Sequence, residues 1–582
     1  MASHAFRTIF LLTLLAIGLP ALSAEPSVVL YGGRIVTVDD EFSIAEAMAI
    51  EGDTITAVGT SEEIRRLARA STQQIDLAGR TVLPGLIDSH VHPLGAAMYE
   101  FDHPLPEMET VADVLKYVAR RADELPDGQW IKLQQVFITR LRDQRYPTRQ
   151  ELDRVAPKNP VVFRTGPDAA LNSLALAESG IGRDYEITDG GPGQVERDEN
   201  GEPTGMLRGC TRLIREKPSG RQPSDQDRYR RVKELFAAYN RAGITSISDR
   251  GANAASVAIY QKLREKGELT CRVSAQHTVS PLEPEDKLRE QIEALAQHPL
   301  RSDDPWLRIT GIKVWLDGGM LTGSAYLLKR WGTSDIYSIT DPAYRGMLLI
   351  PPDRIELIAR LAIENGLQPT AHSVGDGAVT TLIDAYESIN RDMPIADLRP
   401  CITHSNFMTA EAIDRMQRLG IVADMQPAWL YLDGATLMKQ FGNERLSHFQ
   451  PYKTLFDKGV IAGGGSDHMQ KIGARRSVNP YDPFWAMWIT LTRQPRWMDE
   501  PFHPEQRISR EQALRLYTIN NAWLTFEEDR KGSLEKGKLA DFIICDRDIL
   551  TCPVDDVQDV KVLKTYIGGK VVYEAGGDEE ER

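Results

Sequence analysis

Residues 83–92 read Leu-Pro-Gly-Leu-Ile-Asp-Ser-His-Val-His, so His90 and His92 close an apolar run, 82–92, with the composition of a buried strand. Side chains two apart on a strand point to one side, which aims both imidazoles at a common point. Neutral imidazole is the commonest protein ligand for zinc-like ions. Taken alone, an H-x-H pair is just as well two polar residues ending a strand. Four further residues change the balance. Lys313 lies within the run 309–317, His372 closes 367–373, His404 closes 401–405 and Asp467 closes 461–467.

These runs belong to a larger pattern. Eight apolar β-like segments occur at 82–92, 243–249, 271–277, 309–317, 367–373, 401–405, 421–426 and 461–467. Helical periodicity fills most of the gaps, for example at 256–266, 284–296, 353–365, 378–390 and 409–419. Strand alternating with helix implies a parallel sheet, and eight such units predict an α/β fold, a (β/α)8 TIM barrel. Barrel enzymes carry their chemistry at the C-terminal strand ends, so all six residues are expected at one mouth. Singly, His372 and His404 read as hydrogen-bonded core histidines, Ser466-Asp467 as a helix cap and Lys313 as a snorkelling lysine. Five of eight strand ends carrying such groups together is better explained by one metal site.

The stretch 97–240 interrupts the repeat and reads as an insertion after the first strand, placed to cover the site. It sits within a barrel domain expected over 82–530. Short β-rich runs with Gly and Asp at 25–81 and again at 531–582 predict a small β-sandwich built from both chain ends. At the N-terminus, Arg7 precedes an apolar stretch (9–19), then Pro20 and the small-residue site Ala21-Leu22-Ser23-Ala24. This is the order of a secretory signal peptide spanning 1–24, and it predicts a periplasmic or secreted protein with no stable membrane association after cleavage. An uncleaved anchor is the alternative.

The formal charge of −14 disfavours a nucleic-acid partner, because phosphate neutralisation needs a basic surface. Five cysteines in 582 residues do not make a disulfide framework. The expected partner is a small-molecule substrate, with the oligomeric state open, a homodimer included.

The ordered motifs resemble the amidohydrolase superfamily, and within it the amidohydrolase-3 branch that includes N-substituted formamide deformylases. They are Leu83-Pro84-Gly85-Leu86-Ile87-Asp88, Asn172-Ser173-Leu174-Ala175-Leu176 and Asn200-Gly201-Glu202-Pro203-Thr204-Gly205. Lys313 with Asp317-Gly318, His372 with Gly375-Asp376, His404, Gly465-Ser466-Asp467 and the closing segment 532–541 complete the set. The resemblance implies a divalent cofactor, zinc, as one or two ions. His90, His92 and Asp467 would hold one, His372 and His404 the other. Two such ions about 3.5–4 Å apart repel unless an anion bridges them, and an ammonium has no lone pair to offer. In similar enzymes the lysine is carbamylated, so Lys313 would bridge as a carbamate. The resemblance further implies that metal-held hydroxide attacks a carbonyl carbon, with Asp467 as catalytic base and then acid toward the leaving nitrogen.

Three positions depart from the branch pattern. Pro167 stands where a histidine is frequent, Gly209 where an acid is frequent, and His468 where the residue after the metal aspartate is usually small. His468 and His277, both at strand ends, are therefore candidate substrate contacts, as is Arg475 for a substrate carboxylate. Trp429 heads an aromatic group that includes Tyr431, Tyr481, Phe484, Trp485 and Trp488 and that could wall the site. The leading function is an exported hydrolase of non-peptide C–N bonds in small amides. An esterase or lactonase using the same site and a non-catalytic binding protein are the alternatives. A serine hydrolase finds little support, because Ala371-His372-Ser373-Val374-Gly375 misses G-x-S-x-G at its first position.

Overall fold

The computed structural model describes residues 25–134 and 136–576. The signal-peptide reading of 1–24 and the end of the acidic tail lie outside them. All eight apolar runs contribute a strand to one parallel sheet. They are β1 (Leu86–Val91), β2 (Ile244–Ala252), β3 (Arg272–Thr278), β4 (Leu307–Trp315), β5 (Gln368–Ser373), β6 (Cys401–His404), β7 (Val422–Met425) and β8 (Ala462–Gly464). Each strand pairs with the next in chain order. Strands covered on both faces need apolar residues on both, which is why they read as continuous apolar runs rather than alternating ones. Helices Ala254–Glu265, Glu285–Ala296, Pro352–Glu364, Asp376–Asn390 and Ala410–Leu419 flank the sheet.

Side chains and loop backbone draw β8 against β1. Asn521 Nδ2 donates to the carbonyls of Ile87 and Gly464, at 2.5 and 2.7 Å. Beyond the strands, Asp467 N donates to His90 O at 2.7 Å and His92 N to His468 O at 2.8 Å. The segments that carry His90, His92 and Asp467 are thus tied together by backbone.

The run 82–92 is not one strand, as its composition suggested. Thr81–Pro84 belongs to a separate sheet, and the chain passes into β1 at Gly85. A Cβ at Gly85 would stand 2.3 Å from Thr245 Oγ1, so the crossing demands glycine. That separate sheet has six strands in the order Lys570–Glu574, Val562–Ile567, Phe542–Cys545, Thr81–Pro84, Arg34–Val36 and Ile44–Ala45. It therefore joins both chain ends, with Phe542 paired to Pro84 and Ile544 to Val82. A four-stranded sheet of N-terminal segments packs on it through Leu30, Met48, Ile55, Val82 and Phe542. A buried ion pair, Arg272 Nε to Asp541 Oδ2 at 2.6 Å, fastens this unit to β3.

After β1 the chain builds a five-stranded sheet in the order Gln194–Arg197, Pro203–Arg208, Asp168–Leu171, Val161–Thr165 and Ile131–Gln134. Barrel packing resumes earlier than residue 240. The helix Asp225–Arg241 buries Val232, Leu235, Phe236 and Tyr239 against Ile244, Ile247 and Ala275. All five cysteines are free thiols, four of them buried.

Candidate active site

His90 and His92 emerge at the C-terminal end of β1, and Asp467 stands just beyond β8. Asp467 Oδ1 lies 3.4 Å from His90 Nε2 and 3.1 Å from His92 Nε2. Two donors, each about 2.1 Å from one tetrahedral ion, stand about 3.4 Å apart, so these separations fit a shared divalent cation. Among the described residues this trio is the group of His, Cys, Asp and Glu whose ligand atoms converge closely enough to hold one. His372 and His404 close the arc, their rings 4.4 Å apart and the His404 ring 5.0 Å from that of His90. His372 Nε2 is buried without a hydrogen bond and faces the buried Asp317 Oδ1 at 3.7 Å.

The imidazoles are aimed by groups on neighbouring strands. His90 Nδ1 faces Asp424 Oδ2 at 2.8 Å, and His404 Nδ1 faces Gln426 Oε1 at 2.7 Å. Each contact fixes the ring and leaves Nε2 directed at the mouth, the usual way a protein orients a metal-binding histidine. Asp424 is held in turn by Ser89 Oγ at 2.6 Å and lies 3.3 Å from Arg250 Nε. Asp88 accepts from Ser466 N, Ser466 Oγ and His90 N, which ties the Asp467 loop to β1. Backbone strain gathers here too. His404, Ser405 and Asp467 have φ of 79°, 46° and 53°, a left-handed conformation costing roughly 1–3 kcal/mol per residue.

Burial dominates the acid–base balance. It pushes His90 and His404 well below the ordinary imidazole range and His372 down to about 3, with the nearby Lys313 charge adding to each effect. Burial thus favours the neutral imidazole in all three, the form able to offer a lone pair to a metal. Asp467 is raised by burial, with His92 opposing. Lys313 is fully buried in β4 and its Nζ donates to Thr403 Oγ1 at 2.8 Å. Burial, reinforced by Arg250, brings it down to about 7.

His90, His92, His372, His404 and Asp467 all line one cavity of about 1010 Å³, with Lys313 buried beneath. Trp429 lines it as well and stacks on the His404 ring at 4.8 Å. The insertion supplies much of the remaining wall, including Tyr99, Trp130, Phe137, Pro167 and Glu216.

Three expected substrate contacts lie outside the wall of this cavity. His468 is wholly buried, its Nδ1 2.8 Å from Tyr239 OH and its Nε2 2.9 Å from Lys471 O. It braces the loop after Asp467 instead of facing the cavity. His277 is turned back onto the Thr278 carbonyl at 3.0 Å and is not part of the cavity wall. Arg475 pairs with Asp482 at 2.8 Å and borders a smaller neighbouring cavity. Of the aromatic group, Tyr431 and Trp485 border that smaller cavity, whereas Tyr481 packs on His468 and Phe484 and Trp488 join the core. Gly209 donates its N–H to Asp168 and is likewise outside the wall.

Asp424, Gln426, Arg250 and Asn479 were not singled out from sequence. Asp424 and Gln426 did carry a signal, being polar residues two apart in the otherwise apolar run 421–426. Asn479 carried none. Its Nδ2 donates to the Asp467 carbonyl at 2.7 Å and lies 3.3 Å from Asp467 Oδ2.

Comparison with known proteins gives a family and a fold. The model of the amidohydrolase family matches residues 73–573. N-substituted formamide deformylase of Arthrobacter pascens is 28% identical over 556 residues, 94% of this chain and 98% of that protein. A metal-dependent hydrolase from Pyrococcus horikoshii shares the fold with a TM-score of 0.66 and 21% identity, over 91% of this chain and 99% of that one. The atrazine chlorohydrolase TrzN from Arthrobacter aurescens, solved with zinc, also shares the fold. Its TM-score is 0.53 at 16% identity, over 94% of this chain and 95% of that one.

Proposed function

Since the chain belongs to the amidohydrolase family, we propose that it is a metal-dependent hydrolase that cleaves a non-peptide amide-type C–N bond of a small molecule. The observation that carries this reading is the convergence of His90 Nε2 and His92 Nε2 on Asp467 Oδ1, at 3.4 and 3.1 Å, all three ligand atoms lying within 4.8 Å of one another. These three would hold a divalent ion, zinc in our reading, which when bound supplies an activated water and withdraws charge from the carbonyl oxygen.

The chain's own residues do the rest. Asp467, its basicity raised by burial, receives the proton that the attacking water gives up and hands it to the departing nitrogen. Asp424 and Gln426 keep His90 and His404 in the tautomers that present Nε2 to the cavity. Trp429 and the insertion restrict solvent above them. His372 and His404 suit a second ion. In that case Lys313 must contribute an anion, and carbamylation of its amine by carbon dioxide, with release of a proton, provides one. The Lys313 pocket supports this, since no carboxylate among the described residues pairs with its Nζ.

Formamides and N-acyl compounds are the substrates to try first, by analogy with the deformylase relative. A screen of amides, N-acyl amino acids and esters with and without chelator tests the proposal. Turnover of amides that chelator abolishes is expected; turnover indifferent to chelator would contradict it. We further place the mature protein outside the cytoplasm, on the strength of the N-terminal pattern ending at Ala24. N-terminal sequencing of exported material checks that.

A further inference from the structure

A second cavity, of about 340 Å³, adjoins the first and shares Tyr99 and Leu105 with it as wall. The five-residue stretch 467–471 runs from one to the other, with Asp467 and Met469 lining the larger and Gln470 and Lys471 the smaller. Lys471 is only 5% exposed, and among the described residues no ion pair holds its Nζ, the Glu100 and Glu107 carboxylates acting on it from farther off. Its φ of 52° is left-handed, a conformation that lysine rarely adopts. His468 imposes it by holding the carbonyls of Gln470 and Lys471 on Nε2. The buried histidine thus bends the chain so that a desolvated cation reaches the smaller cavity.

The rest of that wall carries the same sign. Arg140, Arg475, Arg476 and Arg496 line it beside Lys471. Arg140 is neutralised by Asp433 at 3.0 Å and Arg475 by Asp482 at 2.8 Å. Arg476 pairs with Glu100 at 3.4 Å, whereas Arg496 has a buried Nη2 with no partner. Against them stand Glu107, which is exposed, and Glu109, which is bonded to Arg142 at 2.8 Å. With three of its five cations paired, the wall keeps Lys471 and Arg496 against Glu107, a small cationic excess, while Tyr431 and Trp485, 5.1 Å apart edge to face, give it an apolar side. A buried cation of this kind is costly unless an anion meets it.

We infer that the smaller cavity is an anion-recognition subsite that takes the carboxylate end of an organic substrate, with Lys471 as its principal contact. This rests on the hydrolase reading above for the identity of the other end. The substrate class it specifies is an amide that also carries a carboxylate, joined by a short apolar body that lies against Tyr431 and Trp485.

The test pairs amides of equal length that end in a carboxylate or in a neutral carboxamide. Their kcat/KM values are compared in the wild type, Lys471→Met and Lys471→Arg, with near-UV circular dichroism checking the fold. A charge-assisted hydrogen bond predicts a preference of about tenfold or more for the carboxylate. It should fall close to one in Lys471→Met and persist in Lys471→Arg. Equal rates in the wild type, or a preference that survives Lys471→Met, would overturn the subsite. If no amide is turned over at all, the hydrolase reading fails. Calorimetric titration of the same carboxylates against wild type and Lys471→Met then still decides the subsite: binding lost in the variant supports it, and equal or absent binding refutes it.

Discussion

His90 and His103 line the same cavity, and each has Nδ1 against an aspartate, at 2.8 Å to Asp424 and 2.9 Å to Asp102. Their surroundings separate them. His90 ends a barrel strand and is 1% exposed, and its aspartate is gripped by Ser89 with Arg250 alongside. His103 lies in the irregular stretch between helices Pro93–Met98 and Val111–Glu124, and its other nitrogen is already engaged by Tyr117 OH at 2.6 Å. The pair at the strand end leaves Nε2 facing Asp467 beside His92, whereas at the rim Nε2 is taken by Tyr117. A histidine–aspartate contact thus becomes chemistry through the element that carries it.

Several substitutions would break or sharpen that contrast. The largest effect belongs to Asp467→Asn, which removes the proton carrier and weakens the ion's ligand set; turnover should fall roughly 10²–10⁴-fold. Steady-state kinetics on whichever amide the screen identifies measures it. Next is Asp424→Asn. Loss of the carboxylate behind His90 should weaken metal affinity roughly 10–100-fold, as removal of such supporting groups does elsewhere. Competition with a fluorescent chelator reads this directly. The matched change at the rim, Asp102→Asn, should leave metal affinity unaltered and shift KM by no more than a few-fold. A rim variant that loses metal would erase the distinction drawn here.

The smallest effect concerns stability in acid. In the insertion, Thr148 caps the helix Arg149–Val155, and Glu151 completes the capping box. Hydrogen bonds from Arg145 hold the Glu151 carboxyl down at about 2, against the usual 4.5. Because the folded value is depressed, its contribution is fully present above pH 4.5 and is lost as pH falls through about 2. Glu151→Gln should lower the urea midpoint slightly at pH 7, and the gap to the wild type should close as the pH approaches 2. A gap that is constant with pH would remove the ionised carboxylate from the account.

How far the sequence discloses this molecule follows from the same contrast. Strands buried on both faces must be apolar throughout, so the eight barrel runs stand out and their terminal polar residues become conspicuous. His90, His92, His372, His404 and Asp467 were legible for that reason. Gly85 was misread because an apolar run does not reveal that it passes between two sheets. Side chains on loops were less legible still. His468 and Arg475 owe their positions to Tyr239 and Asp482, partners that no local pattern encodes, while His277, on β3, turns onto the carbonyl of its own neighbour Thr278. Asn479 reaches Asp467 across twelve residues of irregular chain. The insertion falls outside the barrel's strand–helix repeat, although its helix Val111–Glu124 is amphipathic with a capping box, and it is the region that shapes the rim.

The central claim is that His90, His92 and Asp467 hold a divalent ion on which hydrolysis depends. Elemental analysis of the protein purified without chelator, set beside the His90→Ala/His92→Ala variant, tests it most directly. The account predicts one to two equivalents of divalent metal in the wild type. That metal should disappear together with amide turnover on dialysis against chelator, return with added zinc, and be depleted in the variant. A wild type that stays fully active after its metal has gone, or a double variant that keeps the wild-type metal content, would contradict it.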